Sequence, residues 1–295
     1  MKRMLFVYNP NSGKAQIKNH LFDIVRIFSD GGYDVTVYPT KFSKDGYNKV
    51  IENEGKYDII ACSGGDGTLN EVVSAMMEYK EKLPIGYIPS GSTNDFAVSL
   101  GIPKNMQNAA LHIVTGHQKS CDVGMFNGRY FNYIAGVGAF TEVSYDTSQG
   151  LKNMFGHQAY ILESVKSIPN IKPFRMTIET EYGIEEDEFL YGMISNATTI
   201  AGIKRLAGKD VIMNDGYFEL TFVRKTFNPI DVQSALTDFI SGNRTSKAIY
   251  STKVKKVKLT SDRDLPWVLD GEYGGLQREV AIEVKEKAYD ILVTK

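Results

Sequence analysis

The length, composition and charge of the chain already exclude several classes of protein. It has 295 residues, of which 42% are hydrophobic and 23% charged, the composition of a folded globular protein rather than a disordered or collagen-like one. With 34 Lys and Arg against 35 Asp and Glu, the formal net charge is −1, so no overall positive field draws the chain to nucleic acid or to an anionic membrane.

The first half of the sequence alternates strand-like and helix-like segments. Short apolar runs predict strands, and apolar residues at helical spacing predict helices, as in βαβ units around a parallel sheet. A helix after the first strand is expected to end at Gly31-Gly32, and a polar periodic stretch follows at Tyr47–Glu54. A further helix is predicted through Val72, Val73, Met76 and Met77. The predicted strands are Met4–Tyr8, Asp34–Tyr38, Tyr57–Ala61 and Ile85–Ile88.

Beyond Cys121 the sequence is dominated by strand patterns, several of them alternating. Helices are predicted there only near Gln158–Ile168 and Ile230–Ile240. We therefore predict two domains, residues 1–125 and residues 126–295, with the C-terminal end of the second free to pack back on the first. The predicted strands of the second domain are Arg129–Val137, Arg175–Thr180, Glu188–Ile194, Phe218–Val223, Val254–Leu259 and Glu279–Val284.

Cysteine usage and the N-terminal sequence predict a cytoplasmic location. Only Cys62 and Cys121 occur, without the spacing of a disulfide framework or a thiolate metal site. The first apolar run, Met4–Val7, is much shorter than that of a signal peptide, and no apolar stretch of about 20 residues occurs. The two cysteines are expected to be buried and to act as small hydrophobic residues.

The strongest motif is the glycine-rich segment Gly64–Thr68, which lies between a predicted strand and a predicted helix. Glycines let successive backbone N–H groups turn toward one anion, and the helix N-terminus adds partial positive charge. Asp66 inside a phosphate cradle indicates an intervening cation, hence Mg²⁺ and a nucleoside triphosphate. The alternative is a plain turn in which Asp66 caps the helix. Walker A and Rossmann motifs are excluded by Ala15 and Asn70, which stand where Ser or Thr and Gly are required.

Two further loops rich in small residues follow other predicted strands, Asn9–Gly13 after the first and Gly91–Asp95 after the fourth. Loops at the carboxyl ends of parallel strands converge on one crevice, so these loops and Thr40 can meet around a single nucleotide. Each loop alone is equally typical of an ordinary turn or helix cap.

Together these motifs resemble the diacylglycerol kinase catalytic domain, which occurs in soluble bacterial lipid kinases and in sphingosine and ceramide kinases. The resemblance rests on Asn9–Gly13, Gly64–Glu71 and Gly91–Phe96, and it continues through Asn214–Phe218 and Asp270–Gly275. NAD kinases and phosphofructokinases carry sequences related to the second motif, so the ordered set of five identifies the family. It spans nearly the whole chain.

The resemblance implies an α/β protein with two parts. These are an N-terminal open α/β domain, similar to that of NAD kinases and phosphofructokinases, and a mostly antiparallel β-sandwich domain. The first would hold ATP and the second would accept the lipid, with the reaction in the cleft between them. The residues implied to contact ATP are Asn9, Pro10, Asn11, Ser12, Gly13, Thr40, Gly64, Gly65, Asp66, Gly67, Thr68, Leu69, Asn70, Ser92 and Asn94.

The resemblance also implies the acidic residues of catalysis. Asp66 would meet the catalytic Mg²⁺ through water, and Asp95 and Asp122 would complete a carboxylate network with it. Glu272 matches the family's proton acceptor, which takes the proton of the lipid hydroxyl as its oxygen attacks the γ-phosphate. Taken alone, Asp270–Glu272 favours a polar β-turn between strands.

A second Mg²⁺ site, structural in bacterial members of the family, is implied at the side chain of Asp215 and the backbone carbonyls of Ile212 and Tyr217. The residues alone favour an Asn-Asp-Gly turn that enters the strand Tyr217–Val223. The resemblance and the local sequence thus lead to different expectations at this turn.

The lipid would come from a membrane, and the absence of a spanning segment implies peripheral docking. Basic residues near an anionic leaflet favour such docking. An edge strand protected by lysines is the alternative explanation of the second group below. The two candidate groups are Lys204, Arg205 and Lys209, and then Lys253, Lys255, Lys256 and Lys258.

We therefore predict an ATP- and Mg²⁺-dependent kinase that converts diacylglycerol to phosphatidate. The alternatives are a kinase of another lipid alcohol, a kinase of a soluble substrate such as NAD, and a regulator that binds nucleotide without transferring phosphate. The expected partners are ATP and a membrane-derived lipid, with no nucleic acid, and the expected location is cytoplasmic with transient membrane contact. A homodimer fits the family, although no residue pattern indicates one.

Overall fold

The computed structural model describes residues 1–138, 172–208, 210–226 and 229–294. These residues form two compact units. Unit 1 takes its residues from Met1–Val123 and Glu286–Lys295, and unit 2 from Gly124–Lys285. The helix expected near Gln158–Ile168 and the basic residue Lys209 lie outside the described residues.

Unit 1 is a parallel sheet with helices on the connections. Its strands run in the order β4-β3-β1-β2, and Ile291 of a later strand, β15 (Glu272–Val293), pairs with Ile85 of β4. Its strands and helices are β1 (Lys2–Tyr8), α1 (Ile17–Asp30), β2 (Tyr33–Pro39), α2 (Asp45–Ile51), β3 (Ile59–Gly64), α3 (Asp66–Glu78), β4 (Ile85–Pro89), α4 (Asp95–Ser99) and α5 (Met106–Thr115).

The central strands of unit 1 are buried on both faces. Every side chain of Met4–Val7 and of Ile59–Cys62 is buried, which explains why these strands appear in the sequence as continuous apolar runs. A Cβ at Gly86 in β4 would lie 2.8 Å from the side chain of Ile113. The missing side chain therefore lets α5 pack directly against the sheet.

Unit 2 is antiparallel. Its strand order is β13-β12-β9-β7-β14-β15, and β8 pairs with both β14 and β9. The fold as a whole is mixed α/β and rich in strands. The remaining elements, of which β5 begins within unit 1, are β5 (His117–Phe126), β6 (Arg129–Phe131), β7 (Ile134–Gly138), β8 (Phe174–Thr180), β9 (Gly183–Ser195), β10 (Thr199–Ile200), β11 (Ile203–Lys204), β12 (Phe218–Arg224), α6 (Pro229–Ser241), β13 (Ile249–Val254) and β14 (Lys256–Leu269).

Aromatic side chains from several strands fill the core of unit 2. Trp267 is 1% exposed and packs edge-on against Phe126, with ring centroids 5.1 Å apart. Phe222 lies over Gly192, where a Cβ would come within 2.2 Å of the ring. Burial of such rings is among the largest contributions that single side chains make to stability.

The structure confirms the helix at Ile230–Ile240 and the end of α1 at Gly31, but it divides the predicted strand Arg129–Val137. Two strands, β6 and β7, occur there, separated by Asn132 and Tyr133. The backbone N–H groups of these two residues donate to the carboxylate of Asp270, at 2.6 and 3.0 Å. That distant partner takes them out of the strand, and the local sequence gives no sign of it.

The predicted strand Val254–Leu259 also spans two elements, the end of β13 and the start of β14. The helices α4 and α5 were not predicted. No helix in the described ranges combines the length and the apolar character needed to cross a membrane.

Trp267→Ala is expected to lower the free energy of unfolding by about 3–5 kcal/mol, because it leaves a cavity beside Phe126. Ile184→Ala is the matched control: Ile184 lies on β9 but is 72% exposed, so its loss should change stability by no more than about 0.5 kcal/mol. Denaturant unfolding followed by far-ultraviolet circular dichroism measures both. Equal effects of the two substitutions would contradict this packing.

Candidate functional site

The loops after β1, β3 and β4 lie side by side at the carboxyl edge of the parallel sheet. The backbone N–H of Asn9 donates to the carbonyl of Ser63 at 2.9 Å, and that of Ser90 donates to the carbonyl of Gly64 at 2.8 Å. Thr40, which follows β2, donates its N–H to the carbonyl of Tyr8 at 2.9 Å. Four strand ends thus contribute to one edge, as the parallel topology leads us to expect.

Two glycines allow these loops to approach more closely than side chains would permit. A Cβ at Gly91 would lie 2.6 Å from the Cα of Gly65, and one at Gly13 would lie 2.3 Å from the backbone oxygen of Ser90. Gly13 also has a φ of +57°, a conformation that favours glycine. The loops therefore expose backbone where another sequence would place side chains, which suits close contact with a phosphate group.

Helix α3 begins directly at this backbone cradle. Its N-cap is Gly65, which supplies no side-chain capping bond, and the partial positive charge of a helix N-terminus favours an anion there. Thr68 folds back over Gly64, where a Cβ would lie 2.2 Å from the Thr68 hydroxyl oxygen. Glycine at position 64 is thus required by the packing of the first turn.

Asn94 braces the third loop. It has a φ of +53°, and its side-chain oxygen accepts the N–H of Gly91 at 2.8 Å while its amide donates to the Gly91 carbonyl at 2.8 Å. The hydroxyl of Tyr87 donates to the carbonyl of Gly64 at 3.2 Å. Burial, with the charge of Asp66, raises the pKa of Tyr87 well above its ordinary value, so this hydroxyl stays a neutral donor.

Asp66 and Asp95 are close together at the starts of α3 and α4. Asp66 is 9% exposed and accepts the N–H of Phe96, the residue after Asp95, at 3.4 Å, and Asp95 is 2% exposed. Asp122 lies in β5, fully buried, and accepts the N–H of Lys287 at 2.7 Å. The structure therefore brings Asp66 beside the start of α4, and it gives Asp122 a backbone partner in the C-terminal strand.

Carboxylate oxygens are the ligands that Mg²⁺ prefers, and the ion usually keeps several of its waters. Within the ranges that the structure describes, no three His, Cys, Asp or Glu side chains group closely enough to hold a metal ion directly. Asp66, which lies beside a backbone cradle suited to phosphates, would fit a hydrated Mg²⁺ ion.

One residue near this edge was missed as a site residue. Glu71 of α3 accepts the N–H of Lys44 at 2.7 Å and that of Gly46 at 3.1 Å. It thereby fixes the segment between Thr40 and α2 against α3. Glu71 closes the Gly64–Glu71 motif, but its partners lie 25 and 27 residues earlier in the chain, so no local pattern could reveal them.

Cys62 and Cys121 are both buried and unpaired, which confirms their interpretation as buried small residues. Burial raises the pKa of Cys121 to about 12. Its thiol is therefore protonated at neutral pH and is a poor nucleophile.

In unit 2, Glu272 follows a tight two-residue turn. Asp270 and Gly271 have φ values of +50° and +86° and connect Leu269 to Glu272, which pair across β14 and β15. Positive φ at both positions is typical of a type I′ hairpin turn. The turn that the local sequence favours is therefore present, and it leaves the side chain of Glu272 exposed.

The carboxylate of Asp270 holds this turn in place. It accepts the N–H groups of Asn132, Tyr133 and Ile134 at 2.6, 3.0 and 3.1 Å. Such charge-assisted bonds are stronger than bonds between neutral groups. Asp270 thus fixes the turn that carries Glu272, and the sequence did not reveal these contacts.

The turn before β12 has a cation beside it. Asp215 accepts the N–H of Tyr217 at 3.1 Å through one oxygen and pairs with the ammonium of Lys253 at 2.9 Å through the other. Ile212 is exposed. Burial raises the pKa of the nearby Glu219 to about 7, against the opposing effect of Lys253.

Three of the candidate docking lysines have acidic partners: Lys253 at the turn before β12, and two lysines of β14. Lys256 pairs with Glu283 at 3.1 Å and Lys258 with Glu179 at 3.7 Å. Strand β14, which carries both lysines, lies between β15 and β8. The edge-strand explanation is therefore wrong for Lys258, which has strand partners on both sides, and the charge of both lysines is balanced locally. Lys204 and Arg205, in contrast, are exposed on and beside β11.

The chain is similar to diacylglycerol kinases. Residues 3–126 match the diacylglycerol kinase catalytic domain family. Over 278 residues the chain is 34% identical to the diacylglycerol kinase of Bacillus subtilis (strain 168), covering 94% of this chain and 91% of the relative. Over 280 residues it is 35% identical to that of Staphylococcus aureus (strain MRSA252), covering 93% and 87%.

The fold is similar to that of two solved structures from Bacillus anthracis str. Sterne. The first matches with a TM-score of 0.86 and 25% identity, covering 99% of this chain and 95% of the other. The second, a diacylglycerol kinase, matches with a TM-score of 0.80 and 22% identity, covering 99% and 97%; at that identity the match shows the fold alone.

Gly91→Ala is expected to lower the free energy of unfolding by about 1–3 kcal/mol, because its methyl group would collide with the backbone at Gly65. Gly65→Ala is the control from the other side of the same contact. There the new Cβ would lie 3.5 Å from the Cα of Gly91, an ordinary contact, so the loss should stay below about 1 kcal/mol. Thermal unfolding of both variants tests this, and equal losses would show that the loops are not held together at Gly91.

Proposed function

This chain belongs to the diacylglycerol kinase family, and on that premise we propose that it transfers the γ-phosphate of ATP to the free hydroxyl of diacylglycerol, giving phosphatidate, in a Mg²⁺-dependent reaction. It is a phosphotransferase with an alcohol acceptor. The observation that carries the proposal is the backbone cradle formed by Gly13, Gly65 and Gly91, with Asp66 beside it.

The cradle would bind the phosphates of ATP through backbone N–H groups and the N-terminus of α3. Residues 1–125 would form the ATP-binding domain, and residues 126–295 a β-sandwich domain that accepts the lipid. The proposed ATP contacts are those expected from the sequence: Asn9–Gly13, Thr40, Gly64–Asn70, Ser92 and Asn94.

Asp66 would hold Mg²⁺ through water, with Asp95 and Asp122 supporting the charge arrangement around it. When bound, Mg²⁺ would neutralise charge that develops on the transferred phosphoryl group. The protein's own part is positional, because phosphoryl transfer depends chiefly on alignment and charge stabilisation.

Glu272 would act as the proton acceptor. The lipid hydroxyl oxygen forms a bond to the γ-phosphorus, the bond from that phosphorus to the bridging oxygen breaks, and ADP leaves with the electron pair. The hydroxyl proton passes to the Glu272 carboxylate. The exposed position of Glu272 after a rigid turn supports this role, because a base must be both accessible and fixed in direction.

The lipid would be taken from a membrane by peripheral docking, from a cytoplasmic location. The exposed Lys204 and Arg205 on and beside β11 fit this role better than Lys256 and Lys258, whose charges are already balanced. Exposed basic residues contribute about 1 kcal/mol each near an anionic leaflet, which suits transient contact.

Incubation of the purified chain with Mg²⁺, γ-labelled ATP and mixed micelles of diacylglycerol tests the activity. We expect the label in phosphatidate, identified by chromatography and mass spectrometry, and no label in NAD or sugar phosphates added in parallel. If another lipid alcohol is labelled and diacylglycerol is not, that alcohol is the substrate. Labelling of NAD would support a soluble-substrate kinase, and nucleotide binding with no transfer to any acceptor would support a regulator.

Glu272→Gln should lower kcat by about 10²–10⁴-fold, the usual contribution of a general base, while the affinity for ATP stays nearly unchanged. Glu279→Gln is the matched control, an exposed acid of the same strand, and should keep full activity. Steady-state kinetics and nucleotide binding measure the two effects separately. If Glu272→Gln lost affinity for ATP but kept its kcat, Glu272 would not be the proton acceptor.

A further inference from the structure

At the turn that precedes β12, the ammonium of Lys253 supplies a cation next to Asp215. The family resemblance implies a structural Mg²⁺ there, held by the carboxylate of Asp215 and the carbonyls of Ile212 and Tyr217. Asp215 is the only side chain in that implied set, so the state of its two oxygens decides whether the set suits a metal ion.

Both oxygens of Asp215 are engaged by N–H donors. The backbone N–H of Tyr217 donates to one oxygen at 3.1 Å, and the ammonium of Lys253 donates to the other at 2.9 Å. A metal ion at the same oxygens would stand next to the ammonium, and two cations in contact repel each other strongly where water is partly excluded.

Lys253 is held in this position by the sheet. In the antiparallel pairing of β12 with β13, Lys253 lies directly opposite Glu219, so the two side chains project from the same face. The ammonium lies 3.5 Å from Oε1 of Glu219. Glu219 is 8% exposed, and neither of its carboxylate oxygens has a hydrogen bond within the described part of the chain.

The charges around the ammonium are consistent with a permanent pairing. Lysine is ordinarily protonated at neutral pH, and here the ammonium lies 2.9 Å from the carboxylate of Asp215 and 3.5 Å from that of Glu219. The aliphatic part of the side chain is long enough to bring the ammonium to both carboxylates while β13 stays paired with β12.

We propose that in this chain the ammonium of Lys253 takes the place of the structural Mg²⁺ of the family, joining the Asp215 turn to β13 without a metal ion. The divalent ion that the proposed phosphotransfer needs is a separate one, carried with the nucleotide in unit 1. The stability of unit 2 is then independent of Mg²⁺.

Thermal unfolding of the full chain without nucleotide, in chelator and in millimolar Mg²⁺ or Mn²⁺, tests this. The Asp66→Asn background removes the proposed ligand for the nucleotide-borne ion. We expect the melting temperature to differ by less than about 1 °C between the conditions, whereas a site occupied at about 100 times its Kd would raise it by several degrees. Stabilisation by metal that Asp215→Asn abolishes would overturn the proposal.

Lys253→Met should create the metal dependence that the wild-type chain lacks. It removes the cation that lies 2.9 Å from the carboxylate of Asp215 and 3.5 Å from that of Glu219, so the variant should melt lower in chelator and recover with Mg²⁺ or Mn²⁺. Its Mn²⁺ affinity, measured by electron paramagnetic resonance, should exceed that of the wild-type chain by at least about tenfold. Lys256→Met removes an exposed ion pair of β14 and should show no such response.

Indifference of folded Lys253→Met to both metals would also overturn the proposal, since the ammonium would then not stand where a metal could bind. If that variant does not fold, the comparison of the wild-type chain with Asp215→Asn decides the matter alone. None of these measurements uses phosphotransfer, so their outcome is independent of the proposed activity.

Discussion

The backbone contact between Gly65 and Gly91 sets the spacing of the loops on which the candidate site of unit 1 depends. A Cβ on Gly91 would reach to 2.6 Å of the Cα of Gly65, so the loops after β3 and β4 can touch only as bare backbone. The N-terminus of α3 and the start of α4 are consequently neighbours, and Asp66 reaches the N–H of Phe96. A cradle of main-chain groups with one carboxylate beside it is the direct result of that single steric condition.

Such a cradle explains how a chain of net charge −1 can be suited to a polyanion. The attraction comes from oriented N–H groups and a helix terminus, which no count of Lys and Arg includes. Lysines that could have formed a basic surface are paired instead, Lys256 with Glu283 and Lys258 with Glu179. The charge balance of the sequence thus reflects local pairing in unit 2.

The sequence could predict those features whose stabilising interactions are local along the chain. Strands β1 and β3 and helix α1 were predicted because burial on both faces, or on one face, leaves a pattern within a few residues. The positions of Asp270 and Glu71 could not be predicted, because their N–H partners lie 136–138 and 25–27 residues away. The Asp270 bonds also divide β6 from β7, so the division of that predicted strand and the missed contacts of Asp270 have a single cause.

The turn at Asp215 shows where transfer of residues by motif reaches its limit. The motif there includes Asp215 and Tyr217, yet what the carboxylate can bind depends on Lys253, which lies on another strand and 38 residues further along the chain. The motif contains Asp215 but not Lys253, which the register of β12 and β13 places opposite Glu219. With the ammonium at that turn, the dependence of the folded state on Mg²⁺ is separable from the Mg²⁺ dependence proposed for phosphotransfer, because only the latter would involve an ion that arrives with the nucleotide.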